Sequence, residues 1–144
     1  MVTASILYAL KREGARVRLF ARNVAKAAKM GEEFGVSVEP IEAFGASDAE
    51  IVVNATPVGM RGHSAGTSPV PPPTLRGRLV AYDLVYNPLA TRFLADAAAG
   101  GCRTISGLDM LVSQAALQFE LWTGIRPPVN AMHNAAAAVV ATDR

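Results

Sequence analysis

Along the chain, apolar positions switch repeatedly between two spacings. In VTASILYALKRE (2–13), Ile6, Leu7 and Leu10 are apolar with polar residues between them, and Gly14 follows. That spacing predicts a helix closed by a glycine C-cap. ARVRLFA (15–21) alternates with the period of a strand. VAKAAKMGEEF (24–34) returns to helical spacing, with Asn23 as N-cap and Gly35 just past the end. VSVEP (36–40) predicts a short strand and residues 41–49 a short helix. AEIVVNAT (49–56) is a continuous apolar run, the pattern of a strand buried on both faces.

Residues 60–78 are rich in Pro, Gly and Ser, which predicts a long loop. RLVAYDLVY (78–86) reads as the next buried strand. NPLATRFLADAAA offers Asn87 as N-cap and Pro88 at the first helical position, and Gly100-Gly101 ends that helix. CRTIS is a short strand. GLDMLVSQAALQFELWTG then places Leu111, Ala115, Phe119 and Trp122 at helical spacing. After a proline break, an alanine-rich tail helix runs over about 130–141, inside the C-terminal segment 127–144. Strand and helix in this rhythm predict an α/β domain over 1–144: a parallel sheet with helices on both faces. The Rossmann-like doubly wound fold leads that class.

Composition narrows the function. A chain of 144 residues, 51% hydrophobic, has the size and apolar content of one packed domain. The net charge of +2 comes without a concentrated Lys/Arg stripe, which argues against nucleic acid as partner. No apolar stretch approaches the roughly 20 residues that span a bilayer. The first residues put their basic side chains after the apolar part, the reverse of a secretory signal. The single cysteine, Cys102, excludes an internal disulfide and fits a cytoplasmic setting as a small buried residue.

Candidate chemistry centres on RLFARNVAK (18–26), where an apolar strand ends in Arg22, Asn23 and Lys26 with no acidic residue among them. At this place in a dinucleotide-binding fold, a carboxylate reads the ribose 2′-hydroxyl of NAD, whereas an arginine accommodates the 2′-phosphate of NADP. The Arg22 fork suits a phosphate, and Lys26 lies one helical turn on. Asn23 can cap the helix beneath an anion held at its N-terminus. Two solvated cations and an ordinary cap are the competing reading. A second pattern, GHSAG (62–66), matches the G-x-S-x-G nucleophile elbow but sits in the proline-rich loop without the strand and helix that an elbow requires.

ARNVAK, VVNATPVGM, YDLVYNPLATRFL and GLDMLVSQAALQFELWTG occur together and in this order. In these phrases the chain resembles the C-terminal, NADP-binding domain of bacterial shikimate dehydrogenase, and the resemblance covers essentially all 144 residues. It implies an oxidoreductase in which NADPH delivers hydride to 3-dehydroshikimate, giving shikimate. In the family's N-R-T-x-x-R/K clamp, Arg22, Asn23 and Lys26 take the Arg, Thr and basic positions, and Ala21 replaces the Asn. The resemblance places Thr56, Pro57 and Val58 beside the cofactor, although Thr56-Pro57 also reads as a strand-ending turn. It sets Leu84 near the nicotinamide and Tyr86 near the substrate; a Tyr hydroxyl satisfying a core partner is the alternative for Tyr86. Gly107, Met110 and Gln114 match G-x-x-M-L-x-x-Q. There Gly107 admits the nicotinamide amide, Met110 packs its ring and Gln114 bonds substrate hydroxyls. Core packing for Met110 and a surface amide for Gln114 are the bland readings. Asp109 stands where the family often has Gly.

The same resemblance marks what the sequence lacks. No G-x-G-x-x-G loop is present, and the first strand of the fold has no counterpart, which is expected to separate strands 15–21 and 36–39 from the other three. The family's substrate domain and its Lys/Asp pair for proton transfer also have no counterpart. The chain is therefore expected to be an N-terminally truncated piece, inactive by itself. A half-open apolar sheet predicts association, including with further copies of the chain. Quinate or quinate/shikimate dehydrogenase and a non-catalytic NADP-binding module are the alternatives.

Overall fold

The computed structural model describes residues 2–142. The chain divides into two compact units, Met1–Asp48 and Ala49–Arg144, and each has its own parallel sheet. Parallel sheets with flanking helices are the predicted α/β class, and the strands pair in the two groups expected.

The first unit runs α1 (Val2–Arg12), β1 (Arg18–Ala21), α2 (Val24–Phe34), β2 (Ser37–Pro40) and a 3₁₀ turn over Ile41–Ala46. β1 and β2 pair from Arg18↔Ser37 to Ala21↔Pro40. β1 is thus shorter than the predicted 15–21, because its ladder extends only as far as its four-residue partner. α2 starts and stops where the sequence predicts. Asn23 Oδ1 accepts the Lys26 N–H at 2.9 Å, and Gly35 closes the helix at φ 59°, a conformation that penalises residues with a Cβ. The phenyl rings of Phe20 and Phe44 meet edge to face with centroids 5.5 Å apart, so the short 3₁₀ turn after β2 is held by its buried Phe44.

The second unit runs β3 (Ile51–Asn54), a 3₁₀ turn over Pro72–Leu75, β4 (Val80–Asp83), α3 (Arg92–Ala99), β5 (Arg103–Ile105), α4 (Gly107–Thr123) and α5 (Val129–Thr142). The sheet order is β3-β4-β5, with registers Ile51↔Val80 and Val80↔Arg103. Leu75, Ala81, Phe93 and Ala97 are wholly excluded from solvent and centre the core. The 60–78 loop is pinned to that core by Val70 and Leu75. Cys102 is buried, and its thiol faces the Leu75 carbonyl at 3.2 Å, the packing role expected of it.

Two expectations differ from the structure, at β3 and at the start of α3. β3 is not buried on both faces: Val52 and Asn54 are inside, but Ile51 is 55% exposed, because β3 is the edge strand of its sheet. α3 begins at Arg92 rather than near Pro88. Its cap is Thr91, whose hydroxyl accepts the Leu94 N–H at 3.2 Å, and Asn87 stays outside the helix. In α4 the buried residues are Gly107, Leu108, Val112 and Ala116, a stripe one position away from the one containing Trp122, which is 77% exposed.

These burials give a paired expectation. Phe93→Ala opens a cavity in the second unit and is expected to cost about 3–5 kcal/mol, whereas Trp122→Ala changes stability by about 0.5 kcal/mol or less. Urea unfolding followed by circular dichroism measures both.

Candidate functional site

Ligands of open α/β sheets bind outside the carboxyl ends of the strands, and the residues singled out above fall at such ends. In the first unit, β1 stops at Ala21, and Arg22, Asn23 and Lys26 follow it, all exposed. The Asn23 cap occupies the Lys26 backbone N–H. It leaves the side chains of Arg22 and Lys26 without an acidic partner among the described residues. Two other cations of this unit are engaged by a carboxylate: Arg16 pairs with Asp48 at 2.5 Å, and Arg18 pairs with Asp48 as well. These contacts, the Arg16 hydrogen bond foremost, hold the Asp48 carboxyl below its usual value. The free pair at the start of α2, where the helix dipole favours anions, is suited to a phosphate.

In the second unit, Thr56, Pro57 and Val58 follow β3, Leu84 and Tyr86 follow β4, and Gly107 and Met110 form the first turn of α4 after β5. A hydrogen-bond network that sequence reasoning missed ties the first two segments together. Asp83, the last residue of β4, is fully buried. It accepts from Asn54 Nδ2 at 2.9 Å, from the Val85 N–H at 3.0 Å and from the Thr91 hydroxyl at 2.6 Å. Asn54 Nδ2 also donates to the Val58 carbonyl at 3.2 Å. Asn54 Oδ1 accepts from the Thr56 N–H at 3.1 Å and the Thr56 hydroxyl at 2.7 Å. The Val58 N–H closes the turn on the Thr56 hydroxyl oxygen at 3.2 Å. The one available signal was a carboxylate inside an otherwise apolar strand phrase, YDLVY. A buried charge needs such partners.

Gly107 joins the third segment. A Cβ built on it would lie 2.5 Å from the Leu84 carbonyl oxygen and 2.6 Å from the Val85 carbonyl. Only a glycine lets the start of α4 rest on the backbone after β4, so its requirement is met by protein packing. Met110 is half-buried and Gln114 exposed. Tyr86 is 41% exposed, which removes the reading of a core-satisfied hydroxyl. Neither Tyr86 nor Gln114 makes a side-chain hydrogen bond among the described residues, so both remain open to a ligand. Asp109 caps α4 by accepting the Ser106 N–H at 3.2 Å and hydroxyl at 2.8 Å, and it also faces His133 Nε2 on α5 at 3.4 Å. Burial and, secondarily, the Asp109 charge raise the Tyr82 phenol above its usual value. Ser64 of GHSAG is exposed in its loop, with neither the strand nor the helix of an elbow around it. No helix of the described residues is long and apolar enough to cross a membrane.

Two outcomes follow. Gly107→Ala forces a backbone shift and is expected to cost about 1–3 kcal/mol in urea unfolding. For pH, burial dominates at Asp83 and raises its carboxyl, although Thr91, Val85 and Asn54 pull it down. The folded chain then holds a proton that the unfolded chain has already lost. Asp83 therefore contributes most stability below the ordinary carboxylate value, and that contribution falls as pH rises through the raised one. Across about pH 3–7, the stability of Asp83→Asn relative to the parent chain is expected to improve as pH rises. A gap independent of pH would contradict this.

The profile of the shikimate 5'-dehydrogenase C-terminal domain matches residues 107–137, which span α4 and most of α5. The chain is 42% identical over 132 residues to a shikimate dehydrogenase (NADP(+)) of Thermus thermophilus, covering 92% of this chain and 49% of that protein. It is 49% identical over 87 residues to shikimate dehydrogenase (NADP(+)) of Archaeoglobus fulgidus, covering 60% of this chain and 32% of that protein. The structure of a Thermus thermophilus shikimate 5-dehydrogenase in complex with NADP(H) and shikimate superposes with a TM-score of 0.82 at 38% identity, over 94% of this chain and 50% of that one. Quinate dehydrogenase from Corynebacterium glutamicum in complex with NAD superposes with a TM-score of 0.83 at 28% identity, over 93% of this chain and 50% of that one. The chain spans about half the length of the first of these curated relatives. Its sequence, both of its sheets and the matched profile agree: over most of its length the chain is similar to the C-terminal portion of shikimate dehydrogenases.

Proposed function

We propose that this chain binds NADP as the cofactor domain of a cytoplasmic shikimate dehydrogenase of aromatic amino-acid biosynthesis. The observation that carries the reading is the relationship to the Thermus thermophilus enzyme, whose structure holds NADP(H) and shikimate. The free Arg22–Lys26 pair at the capped start of α2 fits the group that distinguishes NADP from NAD. NADPH supplies the hydride that reduces 3-dehydroshikimate to shikimate.

The chain's own residues bind and orient. Arg22 grips the 2′-phosphate with its planar fork, Lys26 adds a second positive charge and Asn23 keeps the helix start in place. In the second unit, Thr56, Pro57 and Val58 line the cofactor, Leu84 and Met110 pack the nicotinamide ring and Gly107 seats the backbone that faces its amide. Tyr86 and Gln114, both with free polar groups, are assigned to the substrate. The resemblance gives none of these residues the proton transfer that accompanies hydride transfer. This chain alone is therefore expected to bind NADP without turnover.

The similarity to a quinate dehydrogenase holding NAD supports a second reading. Against its NAD-using form stands the end of β1, Ala21-Arg22-Asn23, which offers no carboxylate to a ribose 2′-hydroxyl. Calorimetric titration with both cofactors tests the choice. Tighter binding of NADP than of NAD is expected. Arg22→Ala is expected to weaken NADP roughly 10- to 100-fold, the worth of a charged hydrogen bond, and to leave NAD within about threefold. Equal affinities in the parent chain would overturn the assignment of the clamp.

A further inference from the structure

Asp83 and Asn54 are register partners across β4 and β3, and both are buried. The Asn54 carboxamide sits between two oxygens on its NH₂ side, Val58 O and Asp83 Oδ1, and two donors on its oxygen side, the Thr56 N–H and hydroxyl. Turning the amide over would set its oxygen against a carboxylate and its NH₂ against donors. An ionised carboxylate only accepts, so Asp83 admits one orientation of Asn54. That orientation makes the Thr56 hydroxyl donate inward and accept from the Val58 N–H. The result is a directed series from Val58 to Thr56 to Asn54, with the Asn54 NH₂ then ending on Asp83.

We propose that Asp83 is a positioning residue: its buried carboxylate, acting through the Asn54 carboxamide, sets the shape of the Thr56–Val58 turn that faces the cofactor. The cofactor-facing part of this proposal rests on the function proposed above. The same carboxylate takes the Val85 N–H, in the backbone on which Gly107 rests, and the Thr91 hydroxyl that caps α3. Burying it is unfavourable, as the upward push on its carboxyl shows. An amide of the same size would avoid that penalty but would replace a charged acceptor by a weaker one and put an NH₂ where the Thr91 hydroxyl now donates.

A role confined to capping α3 is the plain structural alternative, and Thr91→Val isolates it. The measurement is amide hydrogen exchange by NMR on the 144-residue chain, with NADP affinity measured in parallel. In Asp83→Asn, exchange at the Thr56 and Val58 amides is expected to rise about tenfold or more, the scale of one charged hydrogen bond. NADP affinity is expected to fall by a similar factor. In Thr91→Val both are expected to stay within about twofold of the parent, even where thermal stability drops. Should Asp83→Asn fail to fold, Asn54→Ser cuts the same series at its middle link and is expected to show the same exchange increase. Parent-like exchange at Thr56 and Val58 in the folded variant, or an equal rise in Thr91→Val, would overturn the proposal. So would altered exchange with unchanged NADP affinity. If the parent chain binds no NADP, the cofactor reading fails by that result alone, and the exchange data still decide whether Asp83 sets the turn.

Discussion

A single buried carboxylate organises the second unit. Asp83 is withdrawn from water where β4 ends, a position unfavourable by several kcal/mol for an unpartnered charge. What offsets this is geometry: an amide NH₂, a backbone N–H and a hydroxyl converge on its two oxygens. Each donor belongs to a different segment. The turn after β3, the chain after β4 and the start of α3 are thereby held in register by one group, and α4 is brought onto the same place through the absent side chain of Gly107. The first unit achieves its local order differently. There an exposed cap, Asn23, and a left-handed glycine, Gly35, bound the helix that presents Arg22 and Lys26.

The contrast matches what each region is proposed to present. Phosphate recognition works with exposed, mobile cations at a helix N-terminus, because charge and the helix dipole tolerate small displacements. A nicotinamide and a ring ketone must meet within a near-contact distance, so the segments assigned to them need a stiff support. Loops at the ends of parallel strands have no ladder of their own to hold them. In this chain the support comes from inside the sheet, through Asp83 and Asn54, while Tyr86 and Gln114 stay exposed.

How much of this was legible beforehand depended on how local each cause is. Helix α2 and its caps were readable because Asn23, Gly35 and the apolar spacing lie within a dozen residues. The cofactor phrases were readable as a family resemblance. The start of α3 was not, because Asn87-Pro88 makes a good local signal, while Thr91 wins through a bond to Asp83 eight residues earlier. Burial of β3 was overestimated since IVVN does not reveal that it forms a sheet edge. Trp122 fits a helical stripe, yet the stripe that packs is the one through Leu108, Val112 and Ala116, a choice made by neighbours distant in sequence. That the missing side chain of Gly107 also makes room for the protein's own backbone was not legible, because Leu84 and Val85 lie more than twenty residues earlier.

The most direct test of NADP recognition by this chain is an amide-resolved NMR titration of the 144-residue protein, first with adenosine 2′,5′-bisphosphate and then with NADP. The fragment carries the ribose phosphate but no nicotinamide. The expected result is that it shifts the amides of Arg22–Lys26 alone, and that NADP shifts these together with the amides of Thr56, Val58 and Gly107–Met110. Saturation by NAD at the same concentrations as NADP, or a bisphosphate that leaves Arg22–Lys26 unmoved, would contradict it.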